Sequence, residues 1–174
     1  MDFLGGRSSA EVERSMRDYA TDKRWEEWRL AQVLEAGFFN RPHRVVTDRR
    51  TQKRGIDVAV GDTTFEFKLV RYPSRIGAIT IETHSNLERS GNPDGIGDGW
   101  INYSEADWLA WCFTDKAYLW RMPDLRVWFY LQDIDQWPAF DTPNRGYTTR
   151  VRKVPLKDVP VPHYLRALPE VADA

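Results

Sequence analysis

Apolar and polar positions alternate along two short runs in the first half of the chain. Residues 56–60 and 63–70 are rich in β-branched and aromatic side chains, and the Gly61-Asp62 pair between them is a two-residue hairpin signal. The expected register sets Val60 against Thr63, Ala59 against Thr64, Val58 against Phe65 and Asp57 against Glu66. Side chains alternate along a strand, so Phe65, Phe67 and Leu69 point to one face and into a core, and Glu66 and Lys68 to the other. Upstream the period changes. Ser8-Ser9-Ala10-Glu11 reads as a capping-box helix start, followed by Val12, Met16 and Tyr19 at helical spacing. A second helix, or a continuation, is expected over residues 21–36 and stops at Gly37.

Further along, residues 78–84 alternate again, with Ile79 and Ile81 on one face and Thr80, Glu82 and His84 on the other. Residues 85–103, with Gly91, Gly95, Gly97 and Gly99, read as a long polar loop available to fold over a substrate or to mediate self-association. Residues 106–113 and 117–122 read as apolar strands, although Ser104 and Asp107 would also suit a helix N-terminus. Pro123 suits a first helical position, and residues 124–133 are expected to be helical. A turn at residues 143–146 leads to a strand over 147–156, and the Pro-rich tail from Pro155 is expected to be extended and surface-lying.

The polar face of the hairpin changes the picture from fold to chemistry. Two carboxylates directly opposite one another, with Cβ atoms roughly 4.5–5.5 Å apart, destabilise a sheet unless something holds them together. A hard cation does so, since Mg²⁺ takes one or two carboxylates plus waters and substrate phosphate oxygens. Asp57, Glu66 and Lys68 are therefore the leading candidate residues, against the plain alternative of a solvated strand face. Glu82 could join this acidic face; His84, at a strand end, is a weaker candidate. On the second helix Glu26 shares a helical face with Leu30 and Val33, and Glu27 with Leu30 and Leu34, so either is a candidate for the side that packs on the sheet.

Composition sets bounds on the rest. The chain has 174 residues, 41% of them hydrophobic, and is expected to form one domain with a core over about residues 8–154 and a tail over 155–174. Of its eight tryptophans, Trp108, Trp111, Trp120 and Trp128 are expected mainly in the core, with some available to stack on bases. Cys112 is the single cysteine, which excludes a disulfide framework and any cysteine-based zinc site and suits a reducing cytoplasm. No apolar run approaches membrane-spanning length and no signal-peptide segment opens the sequence, so a soluble cytoplasmic protein is expected. Net charge is −1, yet residues 41–54 hold Arg41, Arg44, Arg49, Arg50, Lys53 and Arg54 against Asp48 alone, six minus one or a local +5. Such a run is either a solvated loop or a phosphate-holding surface beside the hairpin; the single His43 within it is incidental.

With these residues in view, the chain resembles the PD-(D/E)XK, or restriction-endonuclease-like, nuclease superfamily. The resemblance rests on a helix ending in Gly37-Phe38, a basic loop, Gly55-Ile56-Asp57 on one strand and Glu66-Phe67-Lys68 on the next. Its layout is most similar to archaeal-type Holliday junction resolvases, in which an aromatic residue and a Glu stand on the first helix before a Gly-Phe pair. Trp25-Glu26 stands in that place, which favours Glu26 over Glu27. Similarity covers about residues 21–81, and Ile56 replaces the proline that names the superfamily.

What the resemblance implies is an α/β fold with a central mixed β-sheet flanked by helices, and an Mg²⁺- or Mn²⁺-dependent endonuclease that hydrolyses DNA, including branched DNA such as Holliday junctions, as a homodimer. Asp57 and Glu66, with the Phe67 carbonyl, would hold the ion, and Glu26 would bind a second ion or fix a metal-bound water. Lys68 would orient or help deprotonate the attacking water and stabilise the transition state. Arg44, Arg49, Arg50, Lys53, Arg54 and Arg71 would hold flanking phosphates. On this expectation Asp57→Asn or Lys68→Ala abolishes cleavage and spares folding. The alternative from another class is a non-catalytic nucleic-acid-binding or assembly protein on the same fold.

Overall fold

The turn at Gly61-Asp62 joins β2 (Val58–Val60) to β3 (Thr63–Leu69) in the expected register, with Val60 opposite Thr63, Ala59 opposite Thr64 and Val58 opposite Phe65. A computed structural model describes residues 23–89, 98–144, 147–160 and 162–168. The helix start expected at residues 8–11, the Gly-rich centre of the 85–103 segment, residues 145–146 of the turn expected over 143–146 and the end of the tail lie outside these residues, while Pro143 and Asn144 are paired in a strand. Backbone contacts divide the chain into two units, Met1–Phe38 and Phe39–Ala174.

In the first unit, α1 covers residues 23–35. It ends in a Schellman motif: the Gly37 N–H donates to the Leu34 carbonyl at 3.0 Å and the Phe38 N–H to the Val33 carbonyl at 3.3 Å. Arg29, Val33, Leu34 and Phe38 are buried, whereas Glu26 and Glu27 are both exposed. The expectation that either acid lies on the packed face is therefore corrected. The buried stripe runs through Arg29 and Val33, four residues apart, and both acids fall on the water side, where Glu27 stands 3.9 Å from Lys23.

The second unit is mixed α/β. One sheet has six strands in the order β1 (Arg44–Val45), β2, β3, β5 (Trp108–Cys112), β6 (Lys116–Arg121), β9 (Tyr164–Ala167), antiparallel throughout except for the parallel pair β3 and β5. A second, antiparallel sheet orders β4 (Ala78–His84), β8 (Tyr147–Pro155) and β7 (Ala139–Asn144). The strands expected over 106–113 and 117–122 are present, and the alternative helix start at Ser104 is not formed. Three strands lie outside the apolar pattern. β1 is two exposed residues within the basic run; β7 is exposed from Ala139 to Pro143, so it lacks an apolar face; β9 falls in the segment expected as extended tail and pairs along β6.

Both faces of the parallel pair are covered, as parallel strands require. Phe65, Glu66 and Phe67 of β3 and Leu109 through Cys112 of β5 are all buried. On one face the Phe39 ring stands 4.6 Å from Phe65 and 6.2 Å from Phe67. The other face enters a cluster shared by both sheets, with Leu109, Trp111 and Trp120 meeting Ile79, Ile81 and Val154. Two short helices complete it: α3 (Trp100–Tyr103) supplies Trp100 and Ile101, and α4 (Met122–Tyr130) supplies Met122, Leu125 and Phe129 from one helical stripe. Trp111 and Trp120 are core residues as expected, while Trp108 and Trp128 are only partly buried. α2 (Arg49–Gln52) is a single turn in the basic run, capped by the Asp48 carboxylate accepting from the Thr51 N–H at 2.7 Å. No helix among the described residues is long and apolar enough to cross a membrane.

Candidate functional site

Parallel pairing places Glu66 beside Leu109 and Lys68 beside Trp111, so both polar side chains of β3 point into the layer between the sheets. Glu66 keeps 2% of its side-chain exposure and Lys68 keeps 29%, with Lys68 Nζ 2.5 Å from Glu66 Oε1. The other carboxylate oxygen, Glu66 Oε2, is buried and has no hydrogen-bond partner. A buried oxygen in that state costs free energy unless a water, an ion or a ligand group meets it.

Asp57 does not form the fourth pair of the ladder. Its N–H donates to Phe65 O at 2.9 Å, although Val58 is the residue paired with Phe65, so Asp57 and Val58 share one partner as in a β-bulge. The side chain is thereby redirected. Asp57 Oδ2 accepts from the Phe67 N–H at 2.8 Å, and the Asp57 carbonyl accepts from the Val46 N–H at 2.8 Å. The direct cross-strand pairing of Asp57 with Glu66 is thus replaced by a carboxylate clasped to the edge of β3. Burial raises the Asp57 pKa, more than the Phe67 N–H and Lys68 lower it, and Glu66 adds to the rise. Burial would lower the Lys68 pKa, but Glu66, with Tyr103 and Asp57 behind it, outweighs that and holds the ammonium above the ordinary lysine range. Lys68 is therefore held as the ammonium by the carboxylates around it.

Two glycines shape the surroundings. Gly55 has φ +70°, and a Cβ there would stand 2.7 Å from Ser104 Oγ and 3.0 Å from Glu66 Oε2, so Ser104 and Glu66 can pack this closely on the chain only because position 55 has no side chain. Ser104 Oγ donates to the Gly55 carbonyl at 3.3 Å, and Arg54 pairs with Glu105, which ties the end of the basic run to the segment after α3. At Gly99 a Cβ would lie 2.0 Å from the Glu82 carbonyl oxygen; with the Gly99 N–H donating to Thr83 O at 3.0 Å, α3 is pressed onto β4. Arg126 of α4 ties the other end, donating to Ile101 O and Ser104 O at 2.7 Å each.

α3 brings in two residues that sequence reasoning missed. Lys68 Nζ lies over the Trp100 ring, 5.5 Å from its centroid. Burial raises the Tyr103 pKa; Lys68 opposes the rise, and Glu66, Glu82 and Asp57 add to it, so this phenol faces all four charges. The signal was there: Trp100 and Tyr103 are three residues apart, the spacing that puts two aromatics on one face of a helical turn. It lay at the end of a segment that glycine content marked as a loop.

The remaining candidates divide. Glu82 belongs to the second sheet, where its Oε1 accepts from Ser85 Oγ, and it reaches the site electrostatically through Tyr103. His84 belongs elsewhere: its Nδ1 meets Thr83 Oγ1 at 2.9 Å, and burial, then Arg150, lower its pKa against Asp98 and Asp141. Glu26 and Glu27 lie in the first unit, exposed on α1. Arg44, Arg49, Arg50, Lys53, Arg54 and Arg71 are all exposed, with Arg54 engaged by Glu105.

Glu66 Oε2 is without a hydrogen-bond partner, and Asp57 keeps a second carboxylate oxygen besides the one on the Phe67 N–H. Among the described residues no group of three or more His, Cys, Asp or Glu stands together to hold a metal ion. Comparison with protein-family models, with curated proteins and with solved structures finds no match to this chain.

Proposed function

We propose that this protein is a divalent-metal-dependent endonuclease hydrolysing phosphodiester bonds of DNA on a restriction-endonuclease-like core. The observation that carries the reading is the buried, partnerless Glu66 Oε2, with the Lys68 ammonium on Glu66 Oε1 and the Asp57 carboxylate held on the Phe67 N–H of the same strand. Its further support is the Gly37-Phe38 helix end and the mixed sheet in which the hairpin sits.

In this reading Asp57 and Glu66 hold Mg²⁺ or Mn²⁺, with the Phe67 carbonyl as a further donor. The ion, when bound, polarises the scissile phosphate and lowers the pKa of a coordinated water. Lys68 orients or helps deprotonate the attacking water, and its ammonium stabilises negative charge gathering on the phosphoryl oxygens. Phe67 N–H keeps the Asp57 carboxylate oriented. Arg44, Arg49, Arg50 and Lys53, exposed around α2, hold flanking phosphates without reading sequence, joined by Arg71. The buried Cys112 thiol suits the cytoplasmic setting that belongs to this proposal.

Incubation of plasmid, single-stranded and four-way-junction DNA with the protein and Mg²⁺ or Mn²⁺, beside a native-mass measurement, tests it. Cleavage that EDTA and Asp57→Asn both remove is the expected result, and a junction preference with a homodimer mass would make the enzyme a resolvase. One observation favours a second reading. Glu66 is 2% exposed and already paired with Lys68, which would serve a non-catalytic nucleic-acid-binding or assembly protein equally well. Binding of these DNAs without cleavage under every metal would select it.

A further inference from the structure

The Lys68 ammonium is held on two sides by groups of different kinds. Glu66 Oε1 lies 2.5 Å away and the Trp100 indole face receives the same nitrogen at 5.5 Å from its centroid. A lysine on four methylenes is otherwise free to sweep a wide arc, and its 29% exposure gives it water to sweep into. The indole that meets it cannot drift, because Gly99 fixes one end of α3 against the Glu82 carbonyl and Arg126 fixes the other through Ile101 O and Ser104 O. Trp100 itself is 3% exposed, so its ring is a rigid wall. A desolvated indole face attracts an ammonium more strongly than an exposed one does.

We infer that Trp100 is a positioning residue for Lys68: its π face and the Glu66 carboxylate together set where the ammonium stands beside the reacting phosphate. The inference rests on the endonuclease reading for its catalytic consequence, but its geometry stands apart from that reading. A purely structural Trp100 would fill core volume alone, and any apolar ring of similar size would replace it.

The test is made on the intact protein, with tryptophan, then mono- and tetrafluorotryptophan, placed at position 100 alone, a series that weakens the π face at nearly constant shape. Trp100→Leu and Trp100→Phe complete the set. Two readings are taken. In the NMR spectrum without nucleic acid, the Lys68 ε-methylene protons should be displaced upfield by the indole ring current, a shift kept in part by Trp100→Phe and lost in Trp100→Leu. In cleavage assays, kcat should fall stepwise with fluorination, by about 3- to 10-fold at full fluorination as expected for a contact of this class, with KM unchanged. An unshifted Lys68 methylene in the folded wild-type protein, or a kcat indifferent to fluorination, would overturn the inference. If the methylene is shifted but the wild-type protein cuts no DNA, the contact stands and the endonuclease reading falls.

Discussion

Glu66 carries a carboxylate into a layer that holds mostly aromatic and aliphatic side chains, with one oxygen on Lys68 and one on nothing. The energetics of such a pair are asymmetric. Removing Lys68 leaves a charge that is 2% exposed without its partner, which costs about 3–5 kcal/mol, whereas removing Glu66 leaves an ammonium that can turn toward water. Lys68→Ala is therefore expected to lower the melting temperature by about 10 °C, Glu66→Ala by less, and Glu66→Met with Lys68→Met to recover most of the loss; calorimetry on the three variants checks the order. This revises the expectation that Lys68→Ala spares folding, and it makes Asp57→Asn the better probe of chemistry. Asp57 is a half-buried acid whose pKa is raised, so the folded state favours its proton and the wild-type protein loses stability as pH rises from the ordinary aspartate value of 3.8 through the folded value. Asparagine keeps an acceptor for the Phe67 N–H and has no proton to lose. Asp57→Asn is thus expected to be more stable than wild type at neutral pH in metal-free buffer, the difference vanishing as pH falls toward 3.8; urea titrations across pH measure it. On the proposed reading, an ion held by Asp57 would displace this proton, so affinity for Mg²⁺ should climb with pH across that range.

At the scale of elements, α2 and α3 do different work. α2 opens with Arg49 and Arg50 exposed and adds little buried surface, so replacing both with alanine should leave stability within about 0.5 kcal/mol. DNA affinity should fall, and the slope of log K against log salt should flatten by about 2 on duplex DNA, read by fluorescence anisotropy. α3 has no such tolerance. Gly99→Ala would drive a Cβ to 2.0 Å from backbone that cannot move aside, so α3 is expected to lift off β4, with a larger loss of thermal stability than Gly55→Ala and loss of the Lys68 ring-current shift. These elements also show what a pattern of residues can and cannot convey. The β2–β3 hairpin was legible because alternation and a two-residue turn fix register together, and α1 because an apolar stripe ends at a glycine. The bulge at Asp57 was not, since one extra residue leaves alternation on β3 untouched while changing which atom its own side chain reaches. β7 and β9 carry no apolar face of their own and exist through pairing with β8 and β6. α3 was hidden by its neighbours' glycines, and with it Trp100 and Tyr103.

For the molecule as a whole, the described residues of the second unit join two sheets and two short helices around one aromatic-rich cluster, and the polar face of β3 opens into that layer near its edge. The arrangement explains how Glu66 can be buried and Lys68 still reach water. It also concentrates exposed basic side chains of the 41–54 run on the segment that leads into Asp57, so these cations and the carboxylates belong to one stretch of chain. The most direct measurement is single-turnover cleavage of end-labelled DNA by metal-free protein to which Mg²⁺ or Mn²⁺ is added, run in parallel with folded Asp57→Asn. The account predicts phosphodiester cleavage that appears only with the metal and falls by at least about 100-fold in the variant, the loss expected when a metal-holding carboxylate is removed. Undiminished cleavage by Asp57→Asn, or no cleavage of any DNA by the folded wild-type protein with either metal, would contradict it.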